Sequence, residues 1–158
     1  MRGPIAYDIA SLLRDAFIFK ADASDWEKTI ATNLSAAFHI LAAATPRLRD
    51  QTKTDRGGPH GWGRIVNIVS SAGLYGNFGQ AAYASAKAGL FGLTRVVALA
   101  MARAKVTCNA VAPFAHTRVT ETIQPANEAQ AIYKARAMTI EPDHVAKFVA
   151  FLCVDLAR

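Results

Sequence analysis

The chain has only two cysteines, Cys108 and Cys153, too few for a disulfide scaffold, and a reduced, intracellular setting is expected. No window holds 18 apolar residues in a row, and the Arg2-Gly-Pro-Ile opening lacks the basic-then-apolar build of a secretory leader. These two absences predict a soluble cytoplasmic protein with no membrane partner. Charged residues make up only 19% against 52% apolar, which excludes a disordered chain. The 158 residues suffice for one domain with its own core, so a single domain over 1–158 is expected.

Acidic residues are missing from one long stretch. Between Arg56 and Arg118 there are seven bases (Arg56, Arg64, Lys87, Arg95, Arg103, Lys105 and Arg118) and no Asp or Glu, so the net charge of +6 belongs to the middle of the chain. The bases are separated by long neutral runs and are not interleaved with aromatics. That pattern argues against nucleic acid and leaves an anionic small ligand or a solvated surface. The four histidines and two cysteines show no CxxC or HxxxH spacing, so no metal site is predicted. A GxSxG elbow is absent too, which excludes the usual serine hydrolase arrangement.

What is present alternates between strand and helix signals. IAYDIA (5–10) reads as a strand. Ser24 or Asp25 is placed to cap a helix running over 25–46, with Trp26, Ile30, Ala37, Phe38 and Leu41 near helical spacing until Pro46 or shortly after. Residues 47–63 are polar and Gly-rich and read as a loop. RIVNIVS (64–70) is a short β-branched run bounded by glycines, a buried strand. From 81 to 103 small and apolar residues cover every side of a helix, which is therefore expected to be buried on both sides. KVTCNAVA (105–112) reads as a further strand before Pro113, followed by helices near 127–137 and 142–156. Strand and helix in alternation predict the α/β class, with a partial doubly wound, Rossmann-like parallel sheet and flanking helices.

Tyr83 and Lys87 are four apart on one helix and share a face. A tyrosine is a poor acid or base at neutral pH, and a cation one turn away favours its phenolate. Such pairs are also common for purely structural reasons. Ser70 ends the strand 64–70, the end at which open α/β sheets place ligands.

GRIVNIVSSAG (63–73), Tyr83 thirteen residues after Ser70, Lys87, and NAVAP (109–113) in this order resemble the catalytic half of the short-chain dehydrogenase/reductases, and Asn33 in TNLSAAF is similar to that family's fourth catalytic residue. The resemblance covers residues 8–157, and GNFGQAAYASAKAGL (76–90) is most similar to 3-oxoacyl-acyl-carrier-protein reductases and (3R)-hydroxyacyl-CoA dehydrogenase domains. It implies hydride transfer between NAD or NADP and a carbonyl or alcohol carbon of a small molecule or acyl thioester. Tyr83 would exchange the proton, Ser70 bind the reacting oxygen, Lys87 lower the Tyr83 pKa and hold the nicotinamide ribose, and Asn33 anchor a relay water. The thirteen-residue spacing selects Ser70 over Ser71. A buried amide bracing two helices is the other reading of Asn33. Pro113 and Thr117 match the cofactor-binding segment after the sixth strand, where Thr117 would bond the carboxamide or simply cap a turn.

The chain departs from the family at its start. The glycine turn GxxxGxG and the first βα units, the N-terminal nucleotide-binding half, have no counterpart, and the literal match at 57–63 follows a polar loop and precedes a strand. The family's Asn-Asn-Ala-Gly falls on Asp8-Ile9-Ala10-Ser11, and its Pro-Gly on Pro113-Phe114. An incomplete copy is therefore expected, with weakened dinucleotide binding. The rival expectation is an inactive fragment serving as an oligomerisation or interaction module. By family likeness, helices 25–46 and 81–103 are expected to form a homo-oligomer interface.

Overall fold

A computed structural model describes residues 16–51, 53, 63–125 and 127–154. The strand expected over 5–10 and most of the 47–63 loop lie outside these residues. The described chain divides into two compact units, meeting between Ala112 and Pro113.

In the first unit, a 3₁₀ turn (Ile18–Lys20) leads into α1 (Ala23–Ile30), a π-helical segment (Ala31–Ser35) and α2 (Ala36–Gln51). The capping residue is Asp22, not Ser24 or Asp25: its carboxylate accepts from the Ser24 and Asp25 amides at 2.8 and 3.3 Å. The two predicted caps thus lie inside the first turn, one residue type having been mistaken for its equally polar neighbour. Of the two ends expected, at Pro46 or shortly after, the helix takes the later and runs five residues past Pro46. Proline forfeits one N–H, and the helix formers Arg47, Leu48, Arg49 and Gln51 carry it onward.

After the polar stretch come β1 (Arg64–Ile68), a short α3 (Ser71–Tyr75), the long α4 (Ala81–Met101) and β2 (Thr107–Val111). Strands β1 and β2 pair in parallel, Arg64 opposite Thr107 through Ile68 opposite Val111, and the Val69 amide extends the ladder onto the Val111 carbonyl at 2.8 Å. A parallel pair requires a crossover, which α3 and α4 supply. The expected α/β class with a parallel sheet is what the described residues form, two strands of it.

The core lies between sheet and helices. Leu41, Val97, Met101, Ala104, Val106 and Cys108 form its buried cluster. Helix α4 with its 3₁₀ extension, Ala81–Ala104, is long and apolar enough to cross a membrane by length and composition alone. Here one of its faces packs on both strands. Its other face is open, contrary to the expectation of burial on both sides: Ala88, Gly92, Val96 and Leu99, spaced on one helical stripe, are all exposed. A two-stranded sheet can cover only one side of a helix.

The second unit holds α5 (Arg118–Thr122), α6 (Glu128–Ala137) and α7 (Pro142–Leu152). Lys134 ties α6 to the end of α5 by donating to the Glu121 and Ile123 carbonyls, both at 2.8 Å. The His116 amide bonds the Ile140 carbonyl at 2.7 Å, and Phe114 meets Tyr133 edge-on at 4.8 Å. Helices α6 and α7 match the predicted segments, α7 stopping at Leu152, short of the expected end at 156.

Candidate active site

In the first unit, β1, α3 and α4 bring Ser70, Tyr83 and Lys87 toward one end of β1. Ser70 leaves the strand in extended conformation and caps α3, its hydroxyl oxygen accepting from the Ala72 amide at 3.2 Å. Helix α3 then lies directly on α4. A Cβ added to Gly73 would stand 2.7 Å from the Ala88 amide nitrogen and 2.7 Å from the Lys87 carbonyl carbon, so only glycine permits this approach.

On α4, Tyr83 is half-buried and Lys87 is buried, only 8% exposed. A buried ammonium needs partners. The Lys87 Nζ donates to the Ile68 carbonyl at 3.1 Å and lies 5.5 Å from the centre of the Tyr83 ring. One cation thus lies against the Tyr83 ring and bonds the strand end that delivers Ser70, two residues beyond Ile68.

Asn33 stands on the π segment. The Ala36 amide there bonds the Ala31 carbonyl, five residues back, a wider turn than the α-helix makes and one frequent at functional sites. Asn33 is buried and its Nδ2 donates to the Thr29 carbonyl at 3.1 Å. The segment sits close to α4, since Leu34 packs into the space beside Gly89, where a Cβ would meet Leu34 Cδ2 at 2.7 Å.

Pro113 and Thr117 belong to the second unit. Thr117 caps α5, its hydroxyl accepting from the Thr120 amide at 3.1 Å and lying 2.9 Å from the Thr120 hydroxyl. That is the turn-capping geometry foreseen as one of its two readings.

Several features near the site escaped the sequence reading. Ile18, Lys20, Trp26, Thr29 and Tyr83 line a pocket, and beside it Phe17 stacks on Phe19 at 5.3 Å and meets Phe78 edge-on at 4.8 Å. The Ile68 carbonyl carried no local signal as a site position, and Gly73 was legible only as the end of the 63–73 motif, not as the contact point between α3 and α4.

Residues 8–131 match the family model described as short chain dehydrogenase. The chain belongs to the short-chain dehydrogenase family. A 3-oxoacyl-[acyl-carrier-protein] reductase of Synechocystis is 38% identical over 149 residues, 94% of this chain and 56% of that protein. The hydroxyacyl-CoA dehydrogenase ChsB1 of Mycobacterium tuberculosis is 36% identical over 153 residues, 97% of this chain and 47% of that one. Among solved structures, a short chain dehydrogenase from Mycobacterium avium superposes with a TM-score of 0.70 at 35% identity, over 91% of this chain and 45% of the other. The chain therefore spans about half the length of these relatives, and its fold is theirs over that span.

Short-chain dehydrogenases are oxidoreductases that generally use NAD(P). The residues present fit one end of that cofactor. A phenol and an ammonium on one stripe of α4 are suitable donors to a nicotinamide ribose. For the pyrophosphate, the described residues provide no glycine turn running from strand into helix, and Gly63, which closes the literal 57–63 match, leads into β1 and accepts from the Thr107 amide at 3.1 Å.

Proposed function

We propose that the chain is the catalytic portion of a single-domain NAD(P)-dependent oxidoreductase that interconverts a carbonyl and a secondary alcohol, with a 3-oxoacyl or 3-hydroxyacyl thioester as substrate. The observation that carries this reading is the placement of the Lys87 ammonium, bonded to Ile68 at the end of the strand that leads to Ser70 and lying against the Tyr83 ring. The named activities of the two relatives above favour the thioester class.

A nicotinamide, when bound, supplies or accepts the hydride at the reacting carbon. In the reducing direction Tyr83 gives its phenolic proton to the carbonyl oxygen, converting it to a hydroxyl. Ser70 donates a hydrogen bond to that oxygen: its hydroxyl oxygen already accepts from Ala72, and acceptance leaves the hydroxyl hydrogen available. Lys87 holds a positive charge beside the phenol, which favours the phenolate left behind, and bonds the nicotinamide ribose. Asn33, fixed at the π segment, anchors the water through which Tyr83 is reprotonated. By resemblance alone, Pro113 and Thr117 are the candidate cofactor residues of the second unit. The protein works as a homo-oligomer through the helices over 25–46 and 81–103, on whose outer faces Phe38, Ile40, Val96 and Leu99 are exposed.

The test is turnover of acetoacetyl-CoA with NADH or NADPH, comparing wild type with Tyr83→Phe. Because the described residues supply no pyrophosphate-binding turn, the 158-residue chain alone should bind dinucleotide poorly and turn over little, and in a chain that also carries a nucleotide-binding half Tyr83→Phe should lose at least about a hundredfold in kcat, the low end for removing a general acid. Full activity in the variant would rule Tyr83 out, and a wild type that stays inert with that half present yet still associates would favour the interaction-module reading.

A further inference from the structure

Next to Ile68 stands Asn67, whose side chain makes a contact across 27 residues of sequence that the scheme above leaves unused. Its Nδ2 donates to Thr94 Oγ1 at 2.9 Å and lies 3.8 Å from Cys108 Sγ, so the amide bridges β1, α4 and β2. Thr94 is only 3% exposed, and its hydroxyl in turn donates to the Leu90 carbonyl at 2.8 Å. Residues 83, 87, 90 and 94 form one stripe of α4. The strand therefore grips that stripe twice, from neighbouring residues: Ile68 holds Lys87, and Asn67 holds Thr94 about 10 Å further along the helix at 1.5 Å per residue.

The need for a second grip follows from the composition of α4. Its first turns read Ala-Ala-Tyr-Ala-Ser-Ala-Lys-Ala-Gly, side chains so short that they form low ridges. Such a surface packs closely yet resists sliding and rotation poorly, because interdigitation is what fixes the register of packed helices. Val97 and Met101 are held in the core, but a tether at Lys87 alone fixes the small-residue end of the helix at one point, about which that end can still rotate. Directional hydrogen bonds at two separated points remove that freedom.

We propose that Asn67 and Thr94 are positioning residues for the reaction, a buried latch that fixes the height and rotation of α4 on β1 so that Tyr83 and Lys87 face Ser70. The proposal rests on the oxidoreductase reading for its effect on turnover, and on geometry alone for its effect on Tyr83.

Thr94→Val removes the hydroxyl and keeps the shape, whereas Thr94→Ser keeps the hydroxyl. The full chain, carrying a nucleotide-binding half as above, is assayed with acetoacetyl-CoA and NADH or NADPH, and ionisation of the Tyr83 phenol is followed by its ultraviolet absorbance, taken as the difference from a matched chain carrying Tyr83→Phe. Thr94→Val should lower kcat roughly ten- to a hundredfold, the scale of a small misplacement away from the chemistry, with KM changed less than about twofold. The Tyr83 phenol should ionise at higher pH as Lys87 drifts from it, and Thr94→Ser should restore both readouts. A variant that melts earlier while keeping wild-type kcat and wild-type phenol titration would overturn the latch and leave Thr94 a merely structural residue. If wild type shows no turnover with that half present, the oxidoreductase reading fails and the phenol titration alone decides the latch, an unshifted titration overturning it. Should Thr94→Val not fold, Thr94→Ala and Asn67→Ala are judged by the same two outcomes.

Discussion

The Lys87 ammonium donates to the main-chain carbonyl of Ile68 at 3.1 Å, joining the second turn of the long helix to the last residue of β1. This contact makes Lys87 a structural residue as well as a site residue. Lys87→Met keeps most of the side-chain volume and removes the donor, so the Ile68 carbonyl loses a bond made to a charged group. The expected cost is about 1.5–3 kcal/mol, the range for hydrogen bonds to charged groups, read by denaturant unfolding. Turnover should fall by at least the hundredfold expected of Tyr83→Phe. A variant as stable as wild type would show that water replaces the ammonium at no cost.

Gly73→Ala tests how closely α3 must approach α4. The added methyl would meet main-chain atoms of Lys87 and Ala88 at 2.7 Å, and main chain in mid-helix cannot step aside as a side-chain tip can. Overpacking of this kind costs about 1–3 kcal/mol. Because Ser70 caps α3, the shift should also lower kcat. Unchanged melting would mean that α3 moves away freely.

The two thiols should behave differently. Cys153 is exposed and Cys108 is buried between strand and helix, where burial pushes its thiol above the ordinary value. In the unfolded chain that thiol ionises near its reference value of about 8.5. The raised folded value means the unfolded state loses its proton first, so this contribution to stability is intact below about 8.5 and falls as pH rises above it. Iodoacetamide at pH 8 should label Cys153 quickly and Cys108 only on unfolding, and Cys108→Ala should lose less stability between pH 8 and 10 than wild type. Two equally fast thiols in the folded protein would contradict the placement of Cys108.

Which parts of this arrangement were legible depended on range. Tyr83 and Lys87 fall on one face because four residues span one helical turn, and β-branched RIVNI could only be a short strand, so helix, strand end and Ser70 followed from local pattern. The π segment around Asn33 was invisible, since one widened turn barely alters the spacing of apolar residues. Asp22 was missed as a cap because Asp22, Ser24 and Asp25 all suit the role chemically, and only the backbone decides among them. The Asn67 and Thr94 contact lay beyond reach for a different reason. It joins residues 27 apart in sequence, and no periodicity within either element marks the partner.

The exposed stripe of α4 supplies the last prediction. Leu99 is 80% exposed and Val96 62%, with Ala88 and Gly92 open on the same side, while Phe38 and Ile40 are exposed on α2. Small residues flanked by large apolar ones allow another helix to come close and still bury substantial area, and a two-fold pairing would cover the same patch on both copies. If the proposed homo-oligomer uses this face, Leu99→Glu places a carboxylate in its centre and leaves the single chain untouched, because Leu99 makes little contact within it. Light scattering at tens of micromolar should show wild type at twice the chain mass or more, and Leu99→Glu at the mass of one chain with unchanged circular dichroism. A fully monomeric wild type, or a Leu99→Glu variant that associates as strongly as wild type, would remove α4 from the interface and leave its apolar stripe to be covered by some other part of the chain.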